Sequence, residues 1–500
     1  MSKQYRPWTP EQTFLLPPSP TEWLPEGHLA YFILEVVREL DLGAVEAAIH
    51  KKDPRGERPY SPRMMTSLIL YAYCTGTFSS RKIERATHED VALRVIAAGS
   101  HPHWTTINTF RLEHRAALSD LFVQVLRLCA RSGLKTLGHV ALDGSKVSAN
   151  ASKHKAMSYG RMKEEEQRLA KEIEALMRRA EDVDAREDKE FGADKRGDEL
   201  PEELQRRESR LQRIRQAKAE LEKEAKEGRA ADLRDNAAAL REKVDDRTAT
   251  KRERKAAATL ATKSEKKADE LSPRDDDDDD QDGGGTELAT HRVQATPDGT
   301  PKEKAQRNFT DPESRIMIRN GAFLQAFNAQ AAVSEDQIIV AHGVTSDATD
   351  AQHLAPMVER IKQNCGEAPK ILTADTGYLS EANITFCAKN GVDAYIATRK
   401  SDAAKLSSVP DTEALIAHWG MHDKVSSPRG RKLYALRKVL VEPVFGQIKS
   451  AMGFRRFSLR GLLKAAAEWG IVCACHNLLK VFRARRCSDG ASTAPAPQSA

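Results

Sequence analysis

The sequence predicts an α/β chain: a mixed-sheet domain preceded by an all-α region and interrupted by a long charged helical stretch. Three observations carry that prediction. Apolar residues recur at helical spacing between tight turns from Thr21 to about Leu134. Residues 155 to 267 mix dense charge of both signs with Leu, Ile and Ala. From about Asn308 onward, short apolar runs alternate with a helix. At 500 residues the chain exceeds what one hydrophobic core usually supports, so two or three domains are expected. The expected division is a helical domain over 1–135, a sheet domain made of 136–154 and 306–485, a helical insertion over 155–270, an acidic flexible linker over 271–305 and a disordered tail over 486–500.

In the N-terminal region, Ser61 fits an N-cap and Pro62 the first position of a helix that closes at Gly76. Ser79 or Ser80 opens a short helix through Thr87. "EDVALRVIAAG" gives another ending at Gly99, and His103 to Gly133 reads as one long helix. Such short helices on tight turns make a bundle that can contain a helix-turn-helix unit. Its polar run of Thr105, Thr106, Asn108 and Arg111 either enters a DNA groove or caps and solvates a helix.

The next stretch, "MKEEEQRLAKEIEALMRRAEDVDAREDKE" followed by "PEELQRRESRLQRIRQAKAELEKEAKEG", reads as a helical hairpin or coiled coil, broken near Pro201. Beyond it, "SPRDDDDDDQDGGG" cannot bury enough apolar surface to order itself. Order returns with "AFLQAFNAQAAVSEDQIIVAHGV", two strands joined at Ser334 to Asp336. A helix follows over about 350–364, and "KILTADTGYLSEANITFCAKNGVDAYIAT" then gives strand, helix with Ser380 as N-cap, and strand, a parallel pair. Two helices, over about 436–451 and 462–483, end the fold.

The totals exclude several classes. The formal net charge of +6, from 79 basic and 73 acidic residues, is a small excess on a very charged chain, so local distribution decides its partners. Seven scattered cysteines argue against a disulfide framework and for a reducing cytoplasm. No secretory leader and no bilayer-spanning run is evident, which leaves no membrane role. The neighbours Cys473, Cys475 and His476 lack a second ligand pair at zinc spacing and read as core packing.

Three acids stand out. Asp143 lies in "GHVALDGSKVSAN", where Asp-Gly is equally a favoured hairpin turn. Asp375 follows the apolar run Ile371 to Ala374, at the strand end where open sheets bind ligands, although an Asx-turn into Gly377 also explains it. Glu442 precedes Pro443 and suits either a first helical turn or a site. Leu440, Val444 and Ile448 recur at core spacing, which puts Glu442, Gly446 and Lys449 on another stripe, with Arg455, Arg456 and Arg460 beyond. Three carboxylates with flanking bases suit phosphodiester chemistry: oxygen ligands hold hard divalent cations and the bases draw in DNA.

The ordered set "LDGSKVSANASKHKAMSYGRM", "NFTDPESRIM", "QAFNAQAAV", "TADTGYLSE" and "VEPVFGQIKSAMGFRRFSLRGLLKAAAEWG" resembles the bacterial DDE transposases of the IS1182 group within the IS4/IS5 superfamily. The likeness covers nearly the whole chain, including "SPRMMTSLILYAY" in the N-terminal part. The resemblance implies an RNase H-like catalytic fold with Asp143, Asp375 and Glu442 as catalytic and metal-binding triad, Mg²⁺ as cofactor with Mn²⁺ able to substitute, and a DNA-end-binding N-terminal domain. Relatives carry Tyr, two residues, Arg, three residues, Glu, six residues, Lys around the glutamate. Here Glu442 and Lys449 keep that spacing, but four residues separate Arg437 from Glu442, so either Arg437 or Lys438 takes the phosphate contact.

The function expected from the resemblance is transposition. The protein would bind the terminal inverted repeats of its own element, cleave there, and join the 3′-hydroxyls to target DNA as a homodimer on double-stranded DNA of the cytoplasmic nucleoid. The expected DNA contacts are Lys449, Arg437, Lys438, Arg455, Arg456, Arg460, Thr105, Asn108 and Arg111. The alternatives are a metal-dependent nuclease without strand transfer and an inactive transposase-derived DNA-binding scaffold.

Overall fold

The computed structural model describes residues 22–51, 58–135, 137–191, 202–245, 250–273, 288–398 and 413–492. The N-terminal helices are α1 (Leu29–Glu39), α2 (Gly43–His50), α3 (Pro62–Cys74), α4 (Ser80–Glu89), α5 (Val91–Ile96), α6 (Trp104–Glu113) and α7 (Arg115–Arg131). Ser61 is the N-cap of α3 with Pro62 at its first position, and the Asp90 carboxylate caps α5 by accepting from Leu93 N. The single long helix expected from His103 is instead two. The chain breaks at His114 (φ −102°, ψ 22°), whose ring packs edge-on against Phe110 at 4.8 Å. Every residue of α3 from Met65 to Cys74 is buried, so this helix runs through the interior.

Among the described residues, the charged stretch forms three helices, one more than a hairpin: α8 (Tyr159–Phe191), α9 (Glu202–Asp245) and α10 (Lys251–Leu271). Leu169 and Ile173 of α8 meet Leu211, Ile214 and Leu221 of α9 along one apolar seam. The α9–α10 seam is thinner and built on Ala230, Leu233 and Ala268. Glu165, Glu166 and Glu172 bridge to Arg210, Arg215 and Arg207 across α8 and α9. The hexa-aspartate linker lies outside the described residues.

In the main sheet, β1 (His139–Ser148) is central. It pairs antiparallel with β5 (Ala322–Val333) and parallel with β7 (Ile371–Ala374), which pairs parallel with β8 (Asp393–Ile396). The other edge of β5 carries β4 (Arg315–Arg319) and β6 (Ile339–Thr345), both antiparallel. A small ribbon of β2 (Ala156–Ser158) and β3 (Gln306–Asn308) sits at the root of the insertion. Helices α11 (Leu354–Cys365) and α12 (Glu381–Lys389) connect the parallel strands. The chain ends with α13 (Glu413–Ser426), α14 (Pro428–Gly446) and α15 (Leu462–Ser492), so the last helix runs past 486, where a disordered tail was expected. This six-stranded mixed sheet, with three antiparallel and two parallel strand pairings, is consistent with an RNase H-like domain.

One hydrophobic cluster runs from α1 to α15, so the N-terminal helices and the sheet share a core. Helix α15 makes that junction, packing on α3 and α7 as well as on β6. Trp469 stacks on Phe445 and donates Nε1 to the Gln330 carbonyl at 3.0 Å. Cys473, Cys475 and His476 lie buried on α15, with His476 Nε2 at 3.0 Å from the Gln337 carbonyl.

Candidate functional site

Asp143 stands mid-strand in β1, opposite Ala331 of β5, which removes the hairpin-turn explanation for Asp-Gly. Gly144 is needed for a different reason. A Cβ there would lie 2.4 Å from Gln330 Nε2 and 2.7 Å from Asp350 Oδ1. Because β1 and β7 run parallel with Leu142 beside Ala374, the residues that follow, Asp143 and Asp375, emerge side by side. Asp375 caps the turn beyond β7 by accepting from Gly377 N at 2.8 Å, so the Asx-turn and a site role coexist.

Both carboxylates converge on one nitrogen. Arg437 Nη2 lies 2.9 Å from Asp143 Oδ2 and 3.8 Å from Asp375 Oδ2. The Arg437 side chain is 10% exposed and that of Asp143 17%. Burial pushes the Asp143 carboxyl up to about 6, against the pull of Arg437 and with the Asp375 charge adding to the rise. Burial works against the Arg437 cation too, but Asp143 and then Tyr434 and Asp375 outweigh it and hold its pKa above the ordinary value. Arg437 is therefore the counter-ion of the acid pair rather than an exposed phosphate contact; the exposed neighbour is Lys438. Tyr434 lies one turn earlier; burial raises its pKa and the nearby Arg437 charge opposes that rise.

Glu442 is not in a first helical turn, since α14 starts at Pro428 and Pro443 falls inside it. Proline at 443 frees the carbonyl four residues back, and Gln337 Nε2 donates to that Val439 oxygen at 2.9 Å. Glu442 is exposed and makes no ion pair among the described residues, although its charge reaches Arg437. Gly446 faces open space, with nothing within 4 Å of a Cβ placed there. The helix then widens into a π-turn, Gln447–Ala451. Such a turn re-aims side chains, and Lys449 in it donates to the Ser145 hydroxyl, two residues along β1 from Asp143. Burial, then the nearby Arg319, lowers the Lys449 pKa.

The remaining bases divide. Arg455, Arg456 and Arg460 are exposed; Arg456 Nε and Nη2 and Arg460 Nε anchor to the Ala149–Asn150 backbone and side chain. Thr105 is exposed and bonds His103. Arg111 contradicts the expectation of a DNA contact. It is 3% exposed and donates to Tyr73 Oη, the Phe78 carbonyl, Ser80 Oγ and Asn108 Oδ1. Near it, buried Glu468 accepts from Ser458 N at 2.9 Å, Leu459 N at 3.1 Å and Tyr73 Oη at 3.3 Å. The pair ties the N-terminal helices to α15.

One group was missed in the sequence. Asp350 accepts from Asn328 Nδ2 at 2.7 Å, Gln330 Nε2 at 2.8 Å and Lys146 Nζ at 3.5 Å, and Gln330 Oε1 takes the Tyr378 hydroxyl. This network sits under the turn that carries Asp375. The signal was present: Asn328 and Gln330 are polar residues at period two inside an apolar strand, on one face.

Asp143 and Asp375 form an all-oxygen pair already sharing one positive centre, which suits a hard divalent cation. The triad is incomplete as placed: among the described residues no three acidic, histidine or cysteine side chains gather closely enough to hold a metal. Glu442 would have to turn inward to join the pair.

Residues 290–478 match the transposase DDE domain, and residues 18–113 match a second transposase domain, DUF772. No curated protein and no solved structure matches the chain. The first match includes Asp375, Glu442 and Lys449, whereas Asp143 lies in neither stretch. Domains of this kind act on DNA, and among the described residues no helix is long and apolar enough to cross a membrane.

Proposed function

We propose that this chain, carrying transposase domains on both sides of its charged insertion, is a DDE transposase of the IS1182 group. It binds the terminal inverted repeats of its element, hydrolyses phosphodiesters at the ends and joins the freed 3′-hydroxyls to target DNA, two copies holding two ends. The observation that supports this most is the meeting of Asp143 and Asp375, remote in sequence, on a single Arg437 nitrogen.

Asp143, Asp375 and an inward-turned Glu442 would hold Mg²⁺ or Mn²⁺, which when bound supplies hydroxide from water and stabilises the leaving oxygen. Before a cation is present, Arg437 offsets one of the two aspartate charges and keeps the pair in register. With burial raising its pKa to about 6, Asp143 is mostly ionised at neutral pH and becomes protonated just below it. Lys449, fixed on Ser145, faces the strand that carries Asp143 and grips a phosphate there, and Arg455, Arg456 and Arg460 continue the contact.

Asp375→Ala should abolish end cleavage while DNA binding stays within a few-fold, since binding rests on phosphate neutralisation elsewhere. Cleavage retained in that variant overturns the assignment. Joining of a pre-cleaved 3′-end to a second duplex separates strand transfer from simple hydrolysis.

A further inference from the structure

A cavity of about 1150 Å³ lies away from the acid pair, between the insertion and the β2–β3 ribbon. Six basic side chains line it, among them Lys155, Arg161 and Arg213, against one acid, Glu220. The acids of the insertion are largely engaged: Glu165 with Arg168 and Arg210, Glu166 with Arg215 and Lys218, Glu220 and Glu224 with Arg307. Lys155, Arg161 and Arg213 are exposed and make no ion pair among the described residues.

The cavity also connects to the site. Strand β1 leads from Asp143 to Ser148, and Arg456 and Arg460 clasp the next residues, Ala149 and Asn150. On the far side, Asn308 Nδ2 donates to the Ser152 carbonyl at 2.8 Å and Phe309 N to the Lys155 carbonyl at 3.0 Å. The short turn Lys153–Lys155 is thereby held, by one side-chain and one backbone bond, between the basic loop before α15 and the cavity. From Asp143 to Ser148 a strand covers about 17 Å, or about five base-pair steps of duplex.

We infer that this cavity is a second binding site for the sugar-phosphate backbone of DNA, continuing the line from Lys449 through Arg456, Arg460 and Lys153 into the insertion. It rests on the transposase reading, and assigns the insertion to the DNA flanking the reacting phosphate. Fixed, unpaired cations along a groove bind phosphates by releasing counterions, so each contact leaves a signature in the salt dependence.

The test uses the full chain with Lys155, Arg161 and Arg213 all changed to Gln, and a fluorescent random-sequence duplex spanning several helical turns. Anisotropy over a salt series should show the slope of log affinity against log salt falling by about 2.7, three contacts at about 0.9 each. A matched variant of the α10 surface, Lys251, Arg252 and Lys255 to Gln, removes equal charge and should keep the wild-type slope. Circular dichroism should show both variants as helical as the wild type. An unchanged slope in the first variant, or an equal fall in both, overturns the inference. Asp375-dependent cleavage persisting beside an unchanged slope places the error in the groove alone, whereas a wild-type protein that neither binds nor cleaves DNA overturns the underlying reading with it.

Discussion

Replacing Arg437 by Met keeps much of the side-chain volume and removes the cation between the largely buried Asp143 carboxylate and the part-exposed Asp375. At 2.9 Å the attraction to Asp143 is worth about 6 kcal/mol at an effective dielectric of about 20, yet the Asp143 pKa still sits at about 6 because burial outweighs it. Without Arg437 the ionised form becomes too costly, and Asp143 takes a proton instead. The loss is then capped by the free energy of protonating a group of pKa about 6: about 1.4 kcal/mol at pH 7 and about 2.7 kcal/mol at pH 8. The sign follows from the folded state retaining the proton in the variant. In the wild type the raised Asp143 pKa makes stability fall as pH rises from the unfolded carboxylate range to about 6, then level off; in the variant it continues to fall above 6. Lost packing and the relieved burial of the guanidinium add an offset that does not change with pH. Urea unfolding of both proteins in metal-free buffer between pH 6 and 8 measures the difference. A difference that stays flat across that range refutes the counter-ion role of Arg437.

Other consequences are simpler to read. Arg111→Gln should leave DNA affinity within a few-fold and lower stability by about 3 kcal/mol, because Tyr73, Ser80 and Glu468 lose a buried cation; a large loss of binding in a folded variant contradicts the structural role. Gln337→Ala should cost about 2 kcal/mol in urea unfolding, about 1 kcal/mol each for the bond to the carbonyl that Pro443 leaves free and the bond accepted from Lys480 Nζ. Lys449→Gln should reduce the salt slope of DNA binding by about 0.9 and slow cleavage far more than binding; equal loss of both shows that Lys449 only anchors DNA.

Local chemistry was legible wherever a residue's neighbours in sequence decide its state. Ser61 and Pro62 start α3, Ser380 caps α12, and the apolar run ending at Ala374 becomes β7. The acids Asp143 and Asp375 could be singled out by residue type and position in their strands. Two of the misreadings share a cause. Pro443 stays inside α14 because Gln337, distant in sequence, satisfies the freed carbonyl, and Arg111 turns inward to a buried polar cluster built by Tyr73 and Ser80. None of these partners lies within the window that periodicity sees, whereas the break at His114 sits one turn from the Phe110 ring it packs on.

The sequence by itself determined many of the elements, the alternation of apolar and charged stretches, and which carboxylates were available for chemistry, since capping, turn and burial preferences act over a few residues. Only the tertiary structure decided that β1 and β7 lie side by side, that Arg437 joins Asp143 to Asp375 while Glu442 stays outside, and that Asn328, Gln330 and Asp350 brace the turn beneath. Those outcomes depend on register and on the low dielectric of the interior, which turns a distant opposite charge or a single unsatisfied carbonyl into kilocalories. Such terms exist only after remote segments have excluded water from one another.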